Sequence, residues 1–271
     1  MCIRDSFWTS GLHKDVWVYF GISLLLLGLR KFVLFNKLYT LEIISGLILI
    51  SLFRYYLLPL IIPGLLAVIW SKKDKRFSPF LKFVTVYGFF IASVFVLELL
   101  GFFPFLEMLS VRQQAFLSET GNSAVEGVPP LMPTISSLVF QLPRAILNVC
   151  FRPFIWGCQD ALQYIAAVEI IIFWFFVVLS LPKRKTERKV NLISYFIFFY
   201  AAINLLLIGL LVSNVGTIVR YRSIALSLLF VVVLQAFDLI KLGLRKRQLN
   251  KNASFDSSGK KDVAIESRLK I

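Results

Sequence analysis

Three stretches of this chain, Phe83 to Leu106, Ala161 to Leu181 and Asn191 to Ser213, are long and apolar enough to cross a lipid bilayer. The hydrocarbon layer is about 30 Å thick and a helix rises about 1.5 Å per residue, so one crossing takes roughly 20 apolar residues. A fourth stretch, Ser223 to Leu242, qualifies as well, because Asp238 and Lys241 lie close enough to its end to snorkel. One water-soluble core cannot hide four such segments. Composition agrees: of 271 residues 58% are hydrophobic and 17% charged, against roughly 45–50% and about 25% in soluble domains. A soluble enzyme, a disordered chain and a secreted disulfide scaffold are thereby excluded. The expected fold is an all-α integral membrane protein.

Three shorter apolar runs precede these spans: Val16 to Leu29, Leu41 to Phe53, and Tyr55 to Trp70. Arg54 divides the second from the third, and Pro59 and Pro63 interrupt the third. They read as three short crossings, the alternative being one span plus one long kinked span. The bundle then has about six or seven transmembrane helices.

Basic residues set the orientation, since short cytoplasmic loops carry the Lys/Arg excess. Lysines and arginines number 30 against 15 acids, a net charge of +15. They concentrate in Ser71–Arg76, in Pro182–Lys189 and in the tail from Lys241, which alone holds nine. Even numbers of spans separate these regions, so all three fit one side, with Arg30, Lys31 and Lys37. The stretch from Glu107 to Asp160 and the turn from Asn214 to Arg222 are then expected outside. Residues 16–249 form the membrane domain with 107–160 as its large external loop. Residues 250–271, polar and without apolar periodicity, read as a disordered cytoplasmic tail. The opening Met-Cys-Ile-Arg-Asp-Ser has the look of translated sequencing-adapter read-through, so residues 1–15 are expected to be in part artefactual and the chain a C-terminal piece.

Cys2, Cys150 and Cys158 with the single His13 assemble no expected metal site, and no cofactor is expected. Phosphate-cradling and dinucleotide glycine motifs are missing. Basic and aromatic residues interleave only beside spans, which argues against nucleic acid. The informative groups are the ionisable ones at membrane depth. Arg152, in Phe151-Arg152-Pro153-Phe154-Ile155-Trp156-Gly157, is biased to an extended backbone by the proline that follows, and suits bidentate phosphate binding. An interfacial aromatic belt explains the same residues. Arg220 and Arg222 after Asn214-Val215-Gly216-Thr217 are unexpected on the outer side. They fit an anionic substrate, lipid phosphates, or pairing with Glu169 or Asp160. Glu98 and Glu169 lie within spans, where an ionised carboxylate needs a partner or a cavity.

The Arg152 segment, the span with Ala167-Val168-Glu169, and Asn214 to Thr217 with Arg220-Tyr221-Arg222 together resemble the C-terminal half of bacterial inner-membrane proteins of surface-polysaccharide gene clusters, similar in layout to O-antigen polymerases and ligases. The similarity covers about residues 107 to 242, and departs at Gly157-Cys158, where an acid is expected after the tryptophan. It implies a multi-pass protein of the bacterial cytoplasmic membrane, C-terminus inside, that assembles or transfers a polyprenyl-diphosphate-linked glycan at the outer face. Arg144, Arg152, Trp156, Asn214, Arg220 and Arg222 would then bind substrate, and Glu169 would act as base or orient an arginine. The competing reading is a transporter, flippase or non-catalytic subunit, favoured by the short Pro-interrupted spans beside Arg54.

Overall fold

The computed structural model describes residues 2–35, 40–74, 76–119, 129–158, 161–180 and 191–235. Among them are nine α-helices and no sheet. They are α1 (Cys2–Phe35), α2 (Thr40–Arg54), α3 (Leu58–Lys73), α4 (Pro79–Leu99), α5 (Phe105–Glu119), α6 (Ile135–Phe151), α7 (Ala161–Ser180), α8 (Leu192–Leu211) and α9 (Val215–Gln235). The expected tail at 250–271, the basic run Pro182–Lys189, Gly121 to Val128, Asp160, Asp238 and Lys241 lie outside the described residues.

Six helical stretches are long and apolar enough to cross a membrane: Lys14–Phe35, Thr40–Lys73, Pro79–Leu99, Gln163–Ser180, Leu192–Leu211 and Val215–Gln235. Thr40–Lys73, at 34 residues, would be about 50 Å long if straight. It is not straight. Near one end, Glu42 pairs with Lys31 at 2.7 Å. Near the other, the Lys72 ammonium donates to the Phe32 carbonyl and sits 4.0 Å from the centre of the Phe32 ring. Lys31 and Phe32 are neighbours, so both ends of the stretch return to one level. The reversal occurs at Arg54, whose φ of −148° and ψ of 68° leave the helix, and in the 3-10 turn Tyr55–Leu57. The runs on either side of Arg54 are thus the two limbs of a helical hairpin.

One end of the bundle collects α1's Lys31 end, the hairpin's open end and the start of α4. There Lys82, only 1% exposed, reaches the Asp74 carboxylate at 3.4 Å. The start of α8 and the end of α9 meet at the same end through Ser194 and Gln235, 3.0 Å apart. Arg30, Lys31, Lys72, Lys73 and Arg76 all belong to this basic end. α8 is the central helix: Phe196 and Tyr200 pack with Leu25, Ile61 and Tyr87, while Ala201 and Leu205 pack with Val149 and Ile218.

The span expected over Phe83 to Leu106 stops earlier. Gly101 takes φ +74°, its N–H bonding the Glu98 carbonyl at 2.9 Å and the Phe102 N–H the Leu97 carbonyl at 3.0 Å. This left-handed cap ends α4. Glu98 therefore sits in the last turn rather than mid-span.

Of the stretch from Glu107 to Asp160, the described residues hold most of α5 and the whole of α6. α6 packs antiparallel to α8, Ala145 against Gly209 and Val149 in the cluster of Leu205 and Ala201. Those contacts carry the C-terminal end of α6 about 10 Å down from the end of α8. The chain then turns back at Arg152, and α7 starts level with the N-terminal end of α9. Phe176 meets Phe230 at 5.4 Å near the basic end, and Glu169 acts electrostatically on Arg222. α6 with residues 152–158 is re-entrant in the bundle: the chain runs in beside α8 and doubles back.

Candidate functional site

The turn expected from Asn214 to Arg222 is the first part of α9. Asn214 caps it: its Oδ1 accepts from the Gly216 N–H at 2.9 Å, and its carbonyl from the Ile218 N–H at 2.9 Å. A side-chain cap of this kind lets Val-Gly-Thr enter a helix that the composition alone disfavours. The consequence is geometric. Two residues apart on a helix, Arg220 and Arg222 point to different sides of α9.

Arg220 turns toward α1 and the tip of the hairpin. Its Nε donates to Asp15 Oδ2 at 2.8 Å, while Arg54 donates to Asp15 Oδ1. Asp15, an acid at the start of the first apolar run, is not among the expected partners; of those, Asp160 lies outside the described residues. The Tyr56 hydroxyl lies 3.1 Å from Arg54 Nη1, and the Arg54 guanidinium stands 4.7 Å from the centre of the Tyr221 ring. The side chains of Arg54, Asp15 and Arg220 keep only 9%, 19% and 25% of their exposure. One carboxylate is shared by two guanidinium groups, and near-burial strengthens each pairing.

Arg222 turns the other way and is fully buried. Its Nη1 donates to the carbonyls of Val149, at 3.3 Å, and of Arg152. Irregular backbone inside a helical bundle persists where its carbonyls find donors, and a cation at a helix C-terminus also complements the helix dipole. Among the described residues, Nε and Nη2 of Arg222 have no hydrogen-bond partner. Glu169, exposed on α7, is the acid whose charge bears on this guanidinium.

Past Arg222, the Arg152 guanidinium stands 5.9 Å from the centre of the Phe154 ring, and Trp156 stacks on Phe154. Arg144 is exposed on α6 and takes part in neither arginine group. The expected site residues thus fall into two groups on opposite sides of α9: Arg220 with Asp15 and Arg54, and Arg222 with Glu169 near the Arg152 segment. The sequence reading missed Asp15, Tyr56 and Tyr221. The available signal was an acid just ahead of an apolar run, a position where it can meet cations from other spans.

Two further polar groups serve structure. Glu98 Oε1 accepts from the Leu106 N–H at 3.1 Å, capping α5. Gln113, 1% exposed, donates to Gln141 and to the Leu210 carbonyl at 3.2 and 3.1 Å, and accepts from the Leu131 N–H. This fastens the Pro-rich segment onto α8. A small void lined by Ile22, Leu25, Ile61, Phe196, Tyr200 and Leu228 is apolar and has no room for water. No cluster of three His, Cys, Asp or Glu side chains occurs among the described residues. No family model, curated protein or solved structure matches the chain.

Proposed function

We propose that the protein handles a phosphate-bearing lipid at the face opposite the basic end, of the polyprenyl-diphosphate-linked glycan class that the resemblance implies. The setting is a bacterial cytoplasmic membrane with the basic end inside. The observation that carries this reading is the trio of Arg54, Asp15 and Arg220. Three separate elements bring two guanidinium groups to one carboxylate, where partial burial strengthens the hold of such groups on phosphate. Guanidinium groups preorganised in this way also stabilise a departing diphosphate. Glu169 beside Arg222 is then the candidate base or orienting group for a transfer step.

The test is binding of undecaprenyl diphosphate to the full chain in nanodiscs, read by native mass spectrometry. Arg54→Ala and Arg220→Ala should each weaken binding by about tenfold or more, since a charged hydrogen bond is worth about 1.5–3 kcal/mol. Undiminished binding by both folded variants overturns the proposal. A second reading, transport of such a lipid, is favoured by the helical reversals at Arg54 and at Arg152, since broken helices line substrate paths in transporters. Net movement of the lipid across proteoliposomes separates it from transfer at one face.

A further inference from the structure

Phe154 and Trp156 form a parallel stack, with ring centroids 5.0 Å apart and planes inclined by 4°. Trp156 is 85% exposed, so the indole face turned away from Phe154 is open. The backbone beneath this pair is pinned at several points. Arg222 holds the Arg152 carbonyl. Phe151 stacks on Trp174 at 5.2 Å and 2°, and Trp174 Nε1 donates to the Cys150 carbonyl at 2.8 Å. The Gly157 N–H closes a 3-10 turn onto the Phe154 carbonyl at 2.9 Å. A lone interfacial tryptophan needs none of this support. Here a flat aromatic surface is buttressed from behind and held still, which removes the ordering entropy that a mobile side chain loses on binding.

We infer that the open indole face of Trp156, backed by Phe154, is a stacking platform for a pyranose ring. The inference rests on the proposed glycan-bearing substrate and names where its sugar sits. The negative face of an aromatic ring attracts the polarised C–H bonds on one side of a pyranose, while the hydroxyl rim stays in water. A quaternary ammonium headgroup fits less well. It is best held by several ring faces, and the Arg152 guanidinium beside Phe154 repels it.

The test is saturation-transfer NMR on the full chain in nanodiscs, with methyl α-glucopyranoside, methyl α-galactopyranoside, N-acetylglucosamine and, as a contrast, phosphocholine and adenosine. At least one sugar should receive saturation on its ring C–H protons. Trp156→Ala should abolish the transfer and Trp156→Phe should retain it. The exposed position of Trp156 leaves packing intact, which unchanged thermal melting of the variants checks. The inference is overturned if no sugar is saturated, if Trp156→Ala saturates equally, or if only phosphocholine or adenosine responds through Trp156. Undecaprenyl diphosphate binding, measured on the same samples, tells the two proposals apart. If it persists while sugars are ignored, the platform fails and the phosphate site stands. If it is absent from the wild type while sugars still transfer through Trp156, the phosphate site fails instead.

Discussion

Gly209 of α8 lies so close to Ala145 of α6 that a Cβ built on it would stand 2.2 Å from the Ala145 carbonyl oxygen. That contact seats the re-entrant helix. Ala145 is itself almost completely buried at the same crossing. The neighbour in the way is backbone, which cannot swing aside as a side chain can. Gly209→Ala should therefore destabilise the protein by about 1–3 kcal/mol or more, as overpacking does. Gly88, where an added Cβ meets nothing within 4 Å, is the matched control. Gly88→Ala should be neutral or stabilising by up to about 1 kcal/mol through helix propensity. Thermal melting of the two variants in one detergent checks the opposite signs.

Asp15 binds two arginines from elements far apart in the chain. Its removal takes the shared carboxylate from both, and breaking a buried pair costs about 3–5 kcal/mol. Asp15→Ala should thus lower the melting temperature more than Arg220→Ala. The double variant Asp15→Ala/Arg54→Ala should be less damaged than the sum of the single changes. Additive losses would mean that the trio is not coupled.

Arg222 holds the carbonyls of Val149 and Arg152. Arg222→Ala should free residues 152–158, and Cys158, whose Sγ now lies 3.2 Å from the Phe154 carbonyl, should react faster with maleimide. Equal labelling rates in wild type and variant would show that the re-entrant turn does not depend on the guanidinium.

Glu98 acts through an acceptor oxygen on the Leu106 N–H. Glu98→Gln keeps that acceptor and should melt close to wild type. Glu98→Ala loses it and should cost about 0.5–2 kcal/mol, the usual worth of a helix cap. Parallel losses in both variants would point to the charge instead of the cap.

Sidedness has a direct check. Cysteines introduced at Arg76 and within Gly121 to Gly127 should label oppositely with an impermeant maleimide in intact cells, the second reacting and the first not. Reaction at Arg76 alone would place the arginine groups on the inner face.

The long apolar helices were legible because a bilayer demands a fixed length and little else. The short runs beside Arg54 were legible as segments, but their pairing depended on Lys31, Phe32, Glu42 and Lys72 meeting. No local pattern reveals such contacts. Arg220 and Arg222 read as an external turn because Gly216 and Asn214 signal one; the Asn214 cap converts that signal into a helix start. Their division between two sides of α9 follows at once from helical periodicity once the start is known. Asp15 was hidden for a different reason: its partners Arg54 and Arg220 are supplied by the tertiary fold. Glu98 shows the reverse error, a carboxylate that seemed costly at mid-span and instead ends a helix and begins another.

The chain reverses after α6, so that α6, α7 and α9 all begin at one end of the bundle. An apolar helix is thereby added without exchanging the ends at which the later helices start. A tally that scored it as one more passage would transpose every later segment, exchanging the surfaces on which the final two helices begin and end.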